Sequence, residues 1–297
     1  NEYVMATMGT DADVNVQVYT NGSWDNLQEI TTAIPNTNMR GFDVAYEQLS
    51  GDALAVTCDG DSIASYWIWN GTTWTNYGDI GSVLGNTCGW VKLISDPISD
   101  EIIAVVRDTT GTRYEARVWS GASWGNSVTM GSMAQATHEG IAAEYEDSGN
   151  QAVVAVSNGG NSSFQWRAWN GTTATWTATA TVALGDDFEA GTMRADDGTD
   201  NMVFCYVDED GDIGAQRWTG AGFAAGVTEF NALWNTAGNI YNDRPVDCMF
   251  ETNGTRNGYI MGVYASSTGL ASSTYVAAWT ASQKISPSMS PSGVRVQ

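Results

Sequence analysis

The sequence predicts an all-β protein of six repeated units, and three observations carry that prediction. A hairpin signature flanked by aromatics recurs along the chain, its leading residues being Tyr19, Trp69, Trp119, Trp169, Trp218 and Trp279, spaced 50, 50, 50, 49 and 61 residues apart. Each signature after the first is preceded by two strand-like runs, the second of them apolar at nearly every position. Turn residues stand between the runs, and no long 3.6-residue apolar period replaces them.

The elements follow in order. The signature reads Trp69-Asn-Gly-Thr-Thr-Trp74 or Trp119-Ser-Gly-Ala-Ser-Trp124, where glycine and its neighbour supply the positive φ that a tight hairpin requires. The flanking aromatics then face each other on paired strands. The first run has the form Phe42-Asp-Val-Ala-Tyr-Glu47 or Ile141-Ala-Ala-Glu-Tyr-Glu146. The second, as in Ile102-Ile-Ala-Val-Val106 and Ala152-Val-Val-Ala-Val156, reads as a strand buried on both faces. A third, half-polar run ends at the signature aromatic, and a fourth strand follows the turn. Each repeat is therefore a four-stranded antiparallel meander. Such units stacked around an axis make a six-bladed β-propeller, in which the second strand is sandwiched between neighbouring blades. A solenoid is the alternative for any repeat, but fully apolar second strands favour radial closure.

The ends complete the scheme. Glu2–Thr7 aligns with a second strand, so the N-terminal blade lacks a first. Residues 1–285 form one propeller domain, residues 286–293 a Pro/Ser linker, and Val294, Arg295, Val296 and Gln297 a closing strand resembling Val91-Lys-Leu-Ile94. That strand completes the first blade either in cis or in trans from another subunit. The trans case would build a filament.

Composition excludes several functions. Twelve Lys+Arg against 34 Asp+Glu give a net charge of −22, the wrong sign for nucleic acid. Aromatics at 11% argue against disorder. No apolar run approaches the roughly 18 residues of a membrane-spanning helix. Beginning at Asn1 without a charged-then-apolar leader, the sequence reads as a mature product or an excised segment. Its Thr, Ser, Asn and Gly surface suits an extracellular or cell-surface location.

Candidate sites are few. Cys58, Cys88, Cys205 and Cys248 suit disulfides better than zinc, since the chain has no CxxC and one histidine, His138. Strand positions favour Cys58–Cys88 and Cys205–Cys248 among three pairings. Asp208, Asp210 and Asp212 resemble the start of a calcium loop, but position 219, where a closing glutamate would fall, is threonine. A hairpin turn accounts for them equally. Sequons stand at Asn21, Asn70, Asn161, Asn170 and Asn253, three of them in the repeat's own turns. Asp43, Glu189 and Asp247 share one position of the first strand, as a carboxylate ring or as loop caps. His138 has no nucleophile elbow beside it, so no catalytic triad is expected. No cofactor is required, and calcium is the one candidate.

The repeat resembles the Trp-rich propeller repeats of secreted and surface proteins of environmental prokaryotes. It is also similar in blade number and length to six-bladed fucose-binding lectins. The resemblance covers nearly the whole chain and implies fold more than function. The function expected first is a non-enzymatic structural or adhesive propeller that self-associates through the C-terminal strand. The alternative is a lectin binding surface glycans, with Trp67, Trp74, Trp124 and Trp176 as candidate sugar-stacking rings. A glycan-active hydrolase comes third.

Overall fold

The computed structural model describes residues 2–81, 84–133, 137–225, 228–229, 246–250, 260–266, 269–275 and 283–284. Among them are six antiparallel sheets and no helix. The first sheet has three strands, β1 (Glu2–Met8), β2 (Val14–Thr20) and β3 (Ser23–Thr31). The second runs β4 (Phe42–Tyr46), β5 (Ala53–Cys58), β6 (Ala64–Trp69), β7 (Trp74–Asp79), and the third β8 (Cys88–Ser95), β9 (Ile102–Asp108), β10 (Tyr114–Trp119), β11 (Trp124–Met130). The fourth holds β12 (Ile141–Tyr145), β13 (Gln151–Ser157) and β14 (Ser163–Asn170); between them and β16 (Ala180–Ala183), which pairs β14, lies the two-residue β15 (Thr175–Trp176). The fifth holds β17 (Phe188–Ala195), β18 (Asn201–Asp208), β19 (Ile213–Thr219) and β20 (Thr228–Glu229). The sixth holds β21 (Val246–Phe250), β22 (Ile260–Ser266), β23 (Gly269–Tyr275) and β24 (Gln283–Lys284).

The chain divides into two compact units, Asn1–Ser132 with Ala174–Trp176, and Met133–Thr173 with Thr177–Gln297. In the second to fifth sheets the second strand is the most deeply placed. Every residue of β5 and β9 is buried, as is all of β13 and β18 but the first residue. The last strand is wet, β7 being exposed at four of its six residues. The gradient explains the composition: a strand covered on both faces must be apolar at successive positions, whereas an edge strand faces water. The core of the first unit gathers Val16, Leu54, Val56, Val91, Ile102 and Ala104, and that of the second Val153, Phe164, Phe188, Met202, Phe204 and Trp218.

The hairpin signature forms as the turn chemistry requires. Gly71 and Gly121 take φ of 81° and 82°, and the flanking aromatics lie opposite one another, Trp69 across from Trp74 and Trp119 from Trp124. Their ring centres are 5.6 and 5.5 Å apart. Tyr19 and Trp24 make the same pair at 5.3 Å, and Trp218 and Phe223 at 5.5 Å. The leading tryptophan is the buried member: Trp69, Trp119, Trp169 and Trp218 are all under 5% exposed. β1 sits where other sheets have their second strand, as the alignment of Glu2–Thr7 predicted. The closing strand Val294–Gln297 and the linker 286–293 lie outside the described residues.

Disulfides join Cys58 to Cys88 and Cys205 to Cys248, with Cα atoms 5.3 and 6.3 Å apart. Each ties a second strand to the first strand of the following sheet.

Candidate functional site

The clearest cluster with chemistry lies between the second and third sheets, inside the first unit. Tyr66, on β6, stacks on Tyr77 at 5.8 Å with planes 22° apart. The same Tyr66 meets the signature pair of the next sheet, Trp119 at 5.6 Å and Trp124 edge-on at 5.8 Å. Strand alternation explains the placement. Tyr66 is an odd number of positions from Trp69, so it leaves β6 on the opposite face and points at the next sheet. Tyr77 is 57% exposed and forms the rim, while Trp119 is buried as the floor. Burial, with Tyr77 beside it, raises the pKa of the Tyr66 hydroxyl, which stays a neutral hydrogen-bonding group at physiological pH.

Arg117 stands two residues before Trp119, on the same face of β10. Its Nη1 donates to the Ile80 carbonyl, and its Nε lies 3.2 Å from Glu115 Oε1. The guanidinium is part-exposed and its charge is balanced by Glu115. Gly81, at φ +79°, has no Cβ because one would run into Arg117 Nη1. Exposed aromatic faces with polar groups on the same strand face can take a sugar: C–H groups stack on the rings, and hydroxyls hydrogen-bond to the polar tips.

The second unit repeats the aromatic part. Trp166, on β14, meets the next sheet's signature pair, Trp218 at 5.1 Å and Phe223 at 5.7 Å, both nearly perpendicular. Tyr66 and Trp166 occupy the same place, three residues before the signature tryptophans Trp69 and Trp169. The position matching Arg117 holds Gln216, buried and donating from Nε2 to the Ala224 carbonyl at 2.7 Å.

One further contact recurs in both units. Trp119 Nε1 donates to Glu47 Oε1, and Trp218 Nε1 donates to Glu146 Oε1 at 2.7 Å. Trp69 Nε1 does the same to Glu2 Oε1 at 3.0 Å. Glu47 and Glu146 directly follow the first strand of the preceding sheet and are 5% and 0% exposed. Burial pushes the Glu146 carboxyl up to about 7, the Trp218 hydrogen bond opposing and Asp200 adding to the rise. Glu47 is raised for the same leading reason, burial, with Ser50 and Trp119 opposing and Asp100 and Asp52 adding.

Of the four tryptophans expected to stack sugars, only Trp124 joins Tyr66. Trp67 and Trp74, like Tyr66 and Trp124, are partly buried and pack against the hydrophobic core of the first unit, and Trp74 faces Trp69 across its own hairpin. Trp176 follows a signature two residues longer, with Ala174 at φ +51°, and its Nε1 donates to the Asn126 carbonyl at 2.6 Å. Tyr66, Tyr77 and Arg117 did not come from the sequence reading; the 100-residue spacing of Tyr66 and Trp166 was the signal for the first.

The remaining candidates resolve into structure. Asp208 is buried, its Oδ1 accepts the Asp212 N–H at 2.8 Å, and its backbone N–H reaches Asp212 O at 3.0 Å. The acidic run is thus a hairpin turn between β18 and β19, and among the described residues no three His, Cys, Asp or Glu side chains converge to hold a metal. Asp43 accepts the Leu93 N–H at 2.9 Å and pairs with Arg40 at 3.2 Å. Asp247 pairs with Arg194 at 3.4 Å, and Glu189 contacts His138. These carboxylates are bound locally, as caps and ion pairs. Asn70 Oδ1 accepts the Thr72 and Thr73 N–H groups, each at 3.0 Å, and Asn170 Oδ1 that of Thr173 at 2.9 Å, so turn geometry explains both sequons. Asn21 sits in a turn at φ 54°. Asn161 donates from Nδ2 to the Asn158 and Gly159 carbonyls, and Asn253 lies outside the described residues.

No protein-family model matches the sequence, and no curated protein matches it. Solved structures do. A lectin from Burkholderia pseudomallei superposes with a TM-score of 0.64 at 13% identity, covering 97% of this chain and 81% of its own. An Aleuria aurantia lectin variant in complex with Fucα1-6GlcNAc gives 0.50 at 12% identity, covering 98% and 93%. Six antiparallel sheets at a 50-residue period, with this likeness, give the chain the six-bladed β-propeller fold.

Proposed function

We propose that the protein is a carbohydrate-binding propeller of lectin type that acts outside the cell. One observation carries the reading: the Tyr66 ring meets both Tyr77 and Trp124, while Arg117, paired with Glu115, leaves the same face of β10 as Trp119. An aromatic surface of this kind binds a sugar through its apolar face, and the adjacent polar pair orients its hydroxyls. The likeness to lectins of the same fold supports the assignment, and two disulfides suit an oxidising compartment. Fucosylated glycans are the first class to try, because a neighbour of this fold is seen with Fucα1-6GlcNAc.

The glycan reading displaces self-assembly as the main conclusion. The expected assembly strand lies outside the described residues, whereas the aromatic cluster lies within them. The test is a glycan array followed by calorimetric titration of the best ligand. Saturable binding that falls at least about tenfold in Trp124→Ala and Arg117→Ala, each still folded by circular dichroism at the assay temperature, is the expected result. Equal binding by both variants would remove the site.

A further inference from the structure

The recurring glutamate–indole contact has a consequence for the aromatic clusters. Trp119 is the floor on which Tyr66 rests, 5.6 Å away, and Trp218 is the floor for Trp166, 5.1 Å away. An indole packed only among apolar atoms is free to slide and tilt within its pocket. A directed hydrogen bond from Nε1 to a fixed acceptor removes that freedom. In both units the acceptor is a carboxylate directly after the first strand of the preceding sheet, 72 residues upstream of its tryptophan.

The carboxylates are themselves held. The Glu47 N–H donates to Asp52 O at 2.8 Å, and that of Glu146 to Gln151 O at 2.8 Å. Ser50 Oγ donates to Glu47 Oε2. Glu146 Oε2 is buried and lacks a hydrogen-bond partner. Gly149 leaves room for it, since a Cβ there would collide with this oxygen. Neighbouring acids face both groups from the next sheet's first turn: Asp100 toward Glu47, where Asp52 also contributes, and Asp200 toward Glu146. Asp100 in turn accepts the Leu49 and Ser50 N–H groups at 2.7 and 2.9 Å, and Asp200 accepts Ser148 Oγ at 2.6 Å. The same arrangement, built twice at equivalent places, links one sheet's first turn to the next sheet's aromatic floor.

We propose that Glu47 and Glu146 are positioning residues for the two aromatic clusters: each buried carboxyl fixes the indole plane of the next sheet's signature tryptophan, and so sets the ring spacing available to a ligand. The ligand consequence rests on the glycan reading; the positioning itself does not. Burial raises both carboxyls above the ordinary glutamate range, Glu146 to about 7, so the Trp218 indole N–H reports the protonation of Glu146.

The test is a ¹H–¹⁵N spectrum of the intact protein, followed by titration with Fucα1-6GlcNAc. In the wild type, the Trp218 indole N–H is expected to resist hydrogen exchange and to shift with a midpoint near pH 7, where Glu146 titrates. Glu146→Gln, which keeps a carbonyl acceptor, should retain the protection and lose the pH dependence. Glu47→Ala should expose the Trp119 indole to exchange and weaken glycan binding about tenfold, with Glu47→Gln restoring most of it. If Glu47→Ala does not fold, the wild-type titration still decides. Trp119 and Trp218 indole signals that exchange freely, or a Trp218 signal that ignores pH between 5 and 9, would overturn the proposal. Indole signals that behave as expected in a protein that binds no glycan would leave the positioning intact and refute only the lectin reading.

Discussion

Removing the Cys58–Cys88 disulfide is the perturbation whose size can be worked out most directly. The bridge joins the end of β5 to the start of β8 across a sequence separation of 30. Closing a loop of that length lowers the entropy of the unfolded chain by about 12 cal/mol/K, or about 3.7 kcal/mol at 25 °C. Both cysteines are fully buried, so paired alanines avoid placing a new polar group in the core. Over the chain's 297 residues, an unfolding entropy of about 2.1 cal/mol/K per residue gives about 0.62 kcal/mol/K. The quotient is a fall of about 6 °C in the melting temperature. Differential scanning calorimetry of Cys58→Ala/Cys88→Ala reads it, with ligand absent so that binding does not mask the change. A fall under about 3 °C would refute the reasoning, and would mean that the unfolded chain keeps these two strands close without the bridge. The Cys205–Cys248 bridge, with a separation of 43, should be worth about 4.0 kcal/mol by the same arithmetic.

Two further predictions concern pH and backbone. The folded-state pKa of Glu146 lies near 7, above its ordinary value of 4.5, so the folded protein holds a proton that the unfolded chain releases. Its contribution to stability is therefore fully present below about pH 4.5 and is lost as pH rises through about 7. Urea midpoints of wild type and Glu146→Gln at pH 5 and pH 8 should show the wild type losing more stability over that interval; parallel losses would contradict it. Gly81→Ala should cost about 1–2 kcal/mol in backbone strain at φ +79° and also dislodge Arg117 from Ile80. Chemical denaturation and glycan titration together should show both effects, and an unchanged protein would argue against the Arg117 placement.

The fold was legible because its signals are local. Asn-Gly turns, paired aromatics and a doubly buried strand are each read within a few residues, and the 50-residue period multiplies them. The cysteines were legible because each pair falls at the junction of a second strand with the next first strand. The site was less so. Tyr66 differs from its neighbours Trp67 and Trp69 only in which face of β6 it takes, and that face matters only once the next sheet is in place. Residue type alone does not separate Trp67 and Trp74 from Trp124: all three are partly buried against the core of the first unit, and only Trp124 meets the Tyr66 ring. The Glu47–Trp119 contact spans 72 residues and has no local sequence mark beyond a glutamate directly following a strand. Asp208, Asp210 and Asp212 read as metal ligands by alternation, but the Asp208 carboxylate caps the turn by accepting the Asp212 N–H.

The central claim is that the rings around Tyr66 bind a sugar. Co-crystallisation with Fucα1-6GlcNAc tests it most directly. The account predicts electron density for a sugar ring stacked on Tyr77 or Trp124, with a hydroxyl within hydrogen-bonding distance of Arg117 or Glu115. Density at another place, with these rings bare at saturating ligand, would contradict it.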